Sequence, residues 1–316
     1  MPLHVIVGAG AVGTTTALLL AGRGHDVRLL SRRGGGPVHP RIERRSVDAT
    51  DAAALTAATM GADALYNAAN PPYTRWPTDW PPIAAAVLQA AERSGAVLVT
   101  MSNLYGYGPV SAPMTEDLPL AATGAKGRVR ADLWRQALAA HTAGRVRATE
   151  VRASDFFGPR VTQAMLGERA MTRLLAGKSV PLLGDPDARH SVSYLPDVAE
   201  LLVTVATDER AWGRPWHVPG APALTQRETV AVLAAAAGRR DVKVSVPPAF
   251  VLRLAGLVVP TVRELRETSH QFARDWVLDG SQAERTFGLR ATPLAESAAA
   301  TVAWYRHGPA REAVPA

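Results

Sequence analysis

The stretch that most constrains this chain lies at its start. His4-Val-Ile-Val7 is a short apolar run, Gly8-Ala-Gly10-Ala-Val-Gly13 follows at once, and residues 14–21 carry helical periodicity. A strand before the glycines and a helix after them turn a common pattern into a specific one. Gly8 allows the tight turn, Gly10 lets backbone approach a pyrophosphate, and Gly13 lets helix and strand pack closely. Ala11 and Val12 open the helix, whose free N–H groups and positive dipole end suit a phosphate. The turn therefore predicts a dinucleotide site.

The same rhythm continues. Strands are expected at 27–30, 46–48, 64–67, 96–99 and 148–152, with helices at 52–60, 82–94 and about 127–143. Residues 154–159 read as a loop and 164–176 as a helix. Strands alternating with helices predict an α/β fold, a Rossmann-type doubly wound parallel sheet. Beyond Pro219 the pattern changes. Residues 225–237 form a helix in which Thr225 and Glu228 make a capping box. A short strand at 242–246 and two or three more helices follow. This predicts a smaller, mostly helical C-terminal substrate-binding domain at 158–316, not strictly contiguous. The dinucleotide-binding domain covers 1–157, with a later return near 190–220. Gly34-Gly-Gly36 and the tail 310–316 are of low complexity, and the tail is expected to fray.

At 47% hydrophobic the chain can bury a sizeable core. It has no cysteine, which excludes disulfides, Cys-ligated metals and thiol nucleophiles. Its eight histidines show no His-x-x-x-His or His-Glu-x-x-His spacing, so no metal is expected. The longest apolar run, 249–260, is broken by Arg253 and falls short of the roughly 18–20 residues of a span. With no signal-peptide pattern at the N-terminus, a cytoplasmic protein without a membrane partner is expected. Net charge is +7, but the cations are nearly all Arg and scattered, and no nucleic-acid motif accompanies them.

A basic cluster does occur where the cofactor's ribose belongs. About twenty residues past the first glycine, a carboxylate would bind a 2′-hydroxyl. Here the second strand ends in Ser31, Arg32 and Arg33. Guanidinium groups pair with a 2′-phosphate, so NADP is expected over NAD. The competing reading makes them solvated charges in a Gly-rich loop.

Taken in order, further segments are similar to one family. Val47-Asp48-Ala49 resembles a segment whose Asp contacts adenine, and Asn67-Ala68-Ala69 a strand end beside the cofactor. Leu104-Tyr105-Gly106, or equally Gly106-Tyr107-Gly108, resembles Val-Tyr-Gly. The stretch 152–159, the run 189–199 with Tyr194 and Asp197, the segment 213–220, and Phe287-Gly288 with Thr292-Pro293 and Trp304 match later motifs. The chain thus resembles an extended short-chain dehydrogenase/reductase of the NAD-dependent epimerase/dehydratase type. The resemblance implies a nicotinamide dinucleotide, a small-molecule substrate, and a homodimer paired through the helices near 82–94 and 127–143. It also implies substrate contacts from Tyr105, from Phe157 as core or pocket wall, and from Arg189 toward a phosphate or carboxylate, a surface loop charge being the equal alternative for Arg189.

The chain departs from the family at the catalytic pair. Typical members carry Tyr-x-x-x-Lys on one helix face, with an upstream Ser or Thr. Here the residues four positions after each Tyr are Asn70, Pro77, Pro109, Ser111, Val198 and Pro309. The natural register places Lys126 at the Tyr position and Arg130 at the Lys position; a shift by two places Gly124 and Arg128 there. Aligning on Tyr105 puts Met101 at the upstream hydroxyl, aligning on Tyr107 puts Asn103 there, and Ser102 lies between. The replacement candidates are Tyr73, in the loop after the fourth strand, with Arg75 or Lys126 as its cation; Lys126 itself, as proton donor or ribose partner; and Ser102 and Asn103, toward a substrate carbonyl. The loop position favours function, against a rigid Pro-rich turn for Tyr73 and a capping role for Asn103.

The expected activity is an NADP(H)-dependent oxidoreductase or isomerase on a small carbonyl or alcohol, with a non-standard proton donor. The alternatives are a non-redox cyclase, dehydratase or lyase of secondary metabolism on the same scaffold, and a dinucleotide-sensing regulator without turnover.

Overall fold

Seven parallel strands form the main sheet in the computed structural model, which describes residues 1–308. They are β1 (Leu3–Val7), β2 (Asp26–Ser31), β3 (Ile42–Ser46), β4 (Ala64–Asn67), β5 (Val97–Asn103), β6 (Ala148–Ala153) and the edge strand Pro215–His217. The spatial order is β3-β2-β1-β4-β5-β6 followed by Pro215–His217. The chain reverses direction across the sheet between β1 and β4, which opens a crevice at the carboxyl ends of those strands. The expected frayed tail, 310–316, lies outside the described residues.

Every residue of β4 is buried, and β5 is buried up to Asn103. This is why both read as continuous rather than alternating apolar runs. Helices α1 (Ala11–Gly22), α2 (Ala52–Thr59), α3 (Trp76–Ser94) and α4 (Ala125–Thr142) complete the crossovers. One apolar layer joins Val5, Val7, Leu65 and Leu98 of the sheet to Trp76, Trp80 and Val87 of α3 and Leu133 and Trp134 of α4.

The sequence reading needs correction in several places. The third strand runs Ile42–Ser46, not 46–48. It is an edge strand with exposed Glu43 and Arg44, so charge hides it from an apolar count. Helix α3 begins at Trp76 rather than Pro82, through Pro81 and Pro82. Trp76 and Trp80 lie one turn apart and are both buried, and that burial overrides the cost of the prolines. Residues Asp155–Phe157, expected in a loop, form a strand parallel to Val192–Tyr194. The helix expected over 164–176 spans Glu168–Leu175; its N-cap, Gly167, packs so closely on the preceding turn that a Cβ there would lie 2.4 Å from Thr162 O. Among the described residues, five helices rather than two or three follow the strand Val244–Ser245. The capping box forms as expected: Thr225 Oγ1 accepts from Glu228 N at 3.1 Å, and Glu228 Oε2 accepts from Thr225 N at 2.9 Å.

The chain divides into two compact units. The first comprises Met1–Gly108, Leu120–Arg152 and Val198–Val218; the second comprises Pro109–Pro119, Ala153–Asp197 and Pro219–Ala316. The second has its own core, which includes Phe157, Met171, Leu174, Val230, Leu233 and Val302.

A titratable group sits under the first unit. His4 is buried, with Nδ1 3.1 Å from the Tyr66 hydroxyl and its ring edge-on to His25 at 4.9 Å. Burial, with His25 adding to it, pulls the imidazole from 6.5 to about 4. The unfolded chain therefore takes up this proton first, and stability falls as pH drops from 6.5 toward 4. Near pH 5 the loss should be about 2 kcal/mol. Urea unfolding at neutral and acid pH measures it, and His4→Gln should remove that part of the pH dependence.

Candidate functional site

The glycine turn is set by contact between backbones. Gly8 has φ +110°, and a Cβ there would lie 2.5 Å from Ala68 O. A Cβ on Gly13 would lie 1.8 Å from Gly8 O. Gly8 N donates to Leu30 O at 2.8 Å and Ala68 N to Val7 O at 2.9 Å, so three strand ends meet here. A Cβ on Gly10, by contrast, would meet nothing within 4 Å. Gly10 caps α1 without any side-chain hydrogen bond, and no acidic residue occupies the first turn. An open approach, an uncapped helix N-terminus and no competing carboxylate fit a bound pyrophosphate.

The other cofactor candidates surround this turn in sequence. Ser31 Oγ donates to Gly35 O at 3.3 Å, and Ser46 Oγ donates to Arg32 O at 2.9 Å, which ties down the loop bearing the exposed Arg32 and Arg33. Asp48 is exposed, followed by half-buried Ala49. Hydrogen bonds from Thr50, with Arg32 adding a smaller pull, hold its carboxyl below the usual range. Asn67 is buried, and its Oδ1 accepts from Ala69 N at 3.4 Å.

The catalytic candidates come together around the start of α4. Gly127 makes this possible: a Cβ there would lie 2.5 Å from Tyr105 O, so the helix presses on the turn that follows β5. One residue earlier, buried Lys126 places its Nζ 4.6 Å from the Tyr73 ring centroid. Tyr73 stands edge-on to Trp76 at 5.2 Å, and Trp76 lies 5.9 Å from Tyr105. One helical turn on, Arg130 is held between the rings of Trp76, at 4.5 Å, and Trp80, at 4.4 Å. Burial pulls its guanidinium down to about 10, against the opposing pull of Glu150, so it stays charged at neutral pH. Asn103 Oδ1 accepts from Tyr105 N at 3.1 Å and so caps the turn.

Ser102 is buried, and its hydroxyl hydrogen-bonds to Glu150 on β6. Glu150 Oε1 in turn accepts from Arg152 Nε at 2.7 Å. Arg152 Nη1 donates to the Tyr107 hydroxyl at 2.6 Å, which lies 2.6 Å from His217 Nε2. Burial pushes the Glu150 carboxyl up, with Arg152 opposing it. Sequence reasoning missed this chain of groups. Its signal was the charged pair Glu150 and Arg152 on alternate positions of a strand otherwise read as apolar.

Two expected substrate residues belong to the second unit. Phe157 is buried in that unit's apolar core. Arg189 is exposed and paired with Asp275 at 2.7 Å.

The glycine turn, parallel sheet and strand order define a dinucleotide-binding α/β protein. The chain belongs to the NAD dependent epimerase/dehydratase family, which it matches over residues 4–218. A dTDP-glucose 4,6-dehydratase from Streptomyces griseus is 30% identical over 222 residues, covering 69% of this chain. The chain spans 62% of that relative's length. Among solved structures, a dTDP-glucose 4,6-dehydratase from Bacillus anthracis in complex with NAD superposes with TM-score 0.80 at 16% identity, over 98% of both chains. A Streptomyces venezuelae dTDP-glucose 4,6-dehydratase with NAD bound gives 0.76 at 23%, again over 98% of both. A UDP-glucose 4-epimerase from Thermotoga maritima gives 0.77 at 16%, over 96% of this chain and 99% of that one.

Two substitutions separate fold from binding at the turn. Gly13→Ala should cost about 3 kcal/mol, the upper end of overpacking, because backbone must move. Gly10→Ala should leave stability within about 0.5 kcal/mol, yet weaken dinucleotide binding at least about tenfold by closing the backbone approach. Thermal unfolding and calorimetric titration of both variants measure the two effects.

Proposed function

We propose that this chain is a nicotinamide-dinucleotide-dependent enzyme acting at a hydroxyl- or carbonyl-bearing carbon, with Tyr73 and Lys126 as its remodelled proton-transfer pair. The observation that carries this reading is the buried Lys126 ammonium over the Tyr73 ring, 4.6 Å from its centroid, at the helix position where a Tyr–Lys pair would stand. A phenol beside a fixed cation is suited to taking a proton from a substrate hydroxyl or returning it to a carbonyl oxygen. Arg130, clamped by two indoles, adds a second fixed positive charge behind the pair.

Gly8, Gly10, Ala11, Val12 and Gly13 would hold the pyrophosphate, and Asp48, Asn67, Ala68 and Ala69 would line the rest of the dinucleotide. When bound, the nicotinamide supplies a hydride acceptor or donor. Arg32 and Arg33, with no carboxylate at the end of β2, support a 2′-phosphate and hence NADP. The NAD in the structures of similar proteins supports NAD, and both cofactors are to be titrated. For substrate, the names of the relatives make dTDP-glucose and UDP-glucose the first compounds to try, ahead of smaller carbonyls and alcohols.

Calorimetric titration of the full chain with NAD+ and NADP+ should show saturable binding of at least one. Arg32→Ala with Arg33→Ala should weaken NADP+ alone. With a turned-over substrate, Tyr73→Phe and Lys126→Met should each lower kcat by about 10²-fold or more, with dinucleotide affinity retained for Tyr73→Phe. A folded chain that binds neither dinucleotide refutes the proposal.

A further inference from the structure

Ten large apolar side chains are exposed among the described residues, and seven of them fall between Val246 and Val259. The helix Ala249–Val258 carries most of them. Phe250, Leu254, Leu257 and Val258 are 64%, 60%, 79% and 80% exposed. Their spacing of i, i+4, i+7 and i+8 places them on one stripe of the helix. Val259 continues the apolar surface into the next helix, Pro260–Thr268. Scattered exposed apolar residues need no explanation, but a contiguous stripe does.

The charges around the stripe are sorted by sign. On Pro260–Thr268, Arg263 and Arg266 are exposed one turn apart, while Glu264 and Glu267 are half-buried and engaged in contacts. Before the stripe, Arg239, Arg240 and Lys243 are exposed, with Asp241 as the acid among them. Five exposed cations against one exposed acid thus bracket the apolar stripe in sequence. The apolar helix, of 10 residues, is about 15 Å long, half of what crossing a bilayer needs. No helix among the described residues is long and apolar enough to cross a membrane. A short apolar stripe between basic flanks suits lying in the headgroup region of an anionic bilayer.

We propose that the segment 239–266 docks this protein reversibly on an anionic lipid surface. Phe250, Leu254, Leu257 and Val258 enter the acyl boundary, and Arg239, Arg240, Lys243, Arg263 and Arg266 meet the headgroups. The sequence reading expected no membrane partner because it looked for a span. The run 249–260 was its longest apolar stretch, and surface docking requires only one exposed face. This inference is independent of the catalytic reading.

The test is co-sedimentation of the full chain with phosphatidylcholine vesicles, with and without phosphatidylserine, alongside analytical ultracentrifugation without lipid. Binding should require phosphatidylserine and fall as salt rises. Leu254→Glu with Leu257→Glu should abolish it while thermal unfolding and dinucleotide binding stay unchanged. Arg263→Ser and Arg266→Ser should each lower partitioning about fivefold. No binding to phosphatidylserine vesicles, or binding unaffected by the double Glu variant, overturns the proposal. So does a dimer in solution that the Glu variant dissociates without any lipid binding, since the stripe would then be covered by a second copy.

Discussion

Three backbone segments meet at the glycine turn with no room for a side chain, and the geometry of the first unit depends on that contact. Gly13 is pressed on Gly8 O, and Gly8 on Ala68 O, so α1, the end of β1 and the end of β4 are held within van der Waals distance. The same approach aims the first turn of α1 at the crevice where the strand order reverses. Each glycine costs chain entropy on folding. Here that cost yields a helix N-terminus whose N–H groups no side chain satisfies, and an anion is the natural partner for such a terminus.

The second constraint is a buried cation with no carboxylate at hydrogen-bond distance among the described residues. Arg130 is 7% exposed, and its Nη1 reaches only Met101 O, at 3.4 Å. Removing a guanidinium from water costs several kcal/mol. Two indole faces, each within 4.5 Å of its centre, offset much of that, since desolvated cation–π contacts reach about 2 kcal/mol or more each. The field of Glu150 adds to the offset. A planar, weakly hydrated guanidinium suits this slot where an ammonium would not. It also explains α3: the helix tolerates two internal prolines because its first turns must present Trp76 and Trp80 to Arg130.

Much of the fold was legible because it was written in patterns. The glycine turn, the alternation of strand and helix and the Thr225–Glu228 box each carry a local signal. What was not legible depends on partners distant in sequence. Nothing near Asp155–Phe157 marks a strand, since its pairing comes from Val192–Tyr194. The charged face of β3 concealed an edge strand. At the site, the reading singled out Tyr73, Lys126, Ser102 and Asn103, and Tyr73 and Lys126 do lie against each other. Periodicity shows which face a residue occupies, not which ring stands opposite. For that reason the Trp76–Arg130–Trp80 stack could not be seen in the sequence.

In the buried chain from Ser102 to His217, donor inventory fixes the direction of the two bonds made by Arg152. Arg152 can only donate, so both Glu150 and the Tyr107 oxygen must accept from it. The same Tyr107 oxygen lies 2.6 Å from His217 Nε2. Every member lies on a different strand or turn from the next, except for Glu150 and Arg152 on β6. The chain therefore ties β5, β6, the turn after β5 and the edge strand Pro215–His217 into one register. Losing any one member would leave a buried donor or acceptor without its partner, which costs more than the bond itself contributes. Ser102 ends this structural chain and adjoins Asn103 and Tyr105 at the carboxyl edge of β5. The placement of Ser102 at the carboxyl edge of β5 thus rests on a buried ion pair, Glu150 with Arg152, on the neighbouring strand.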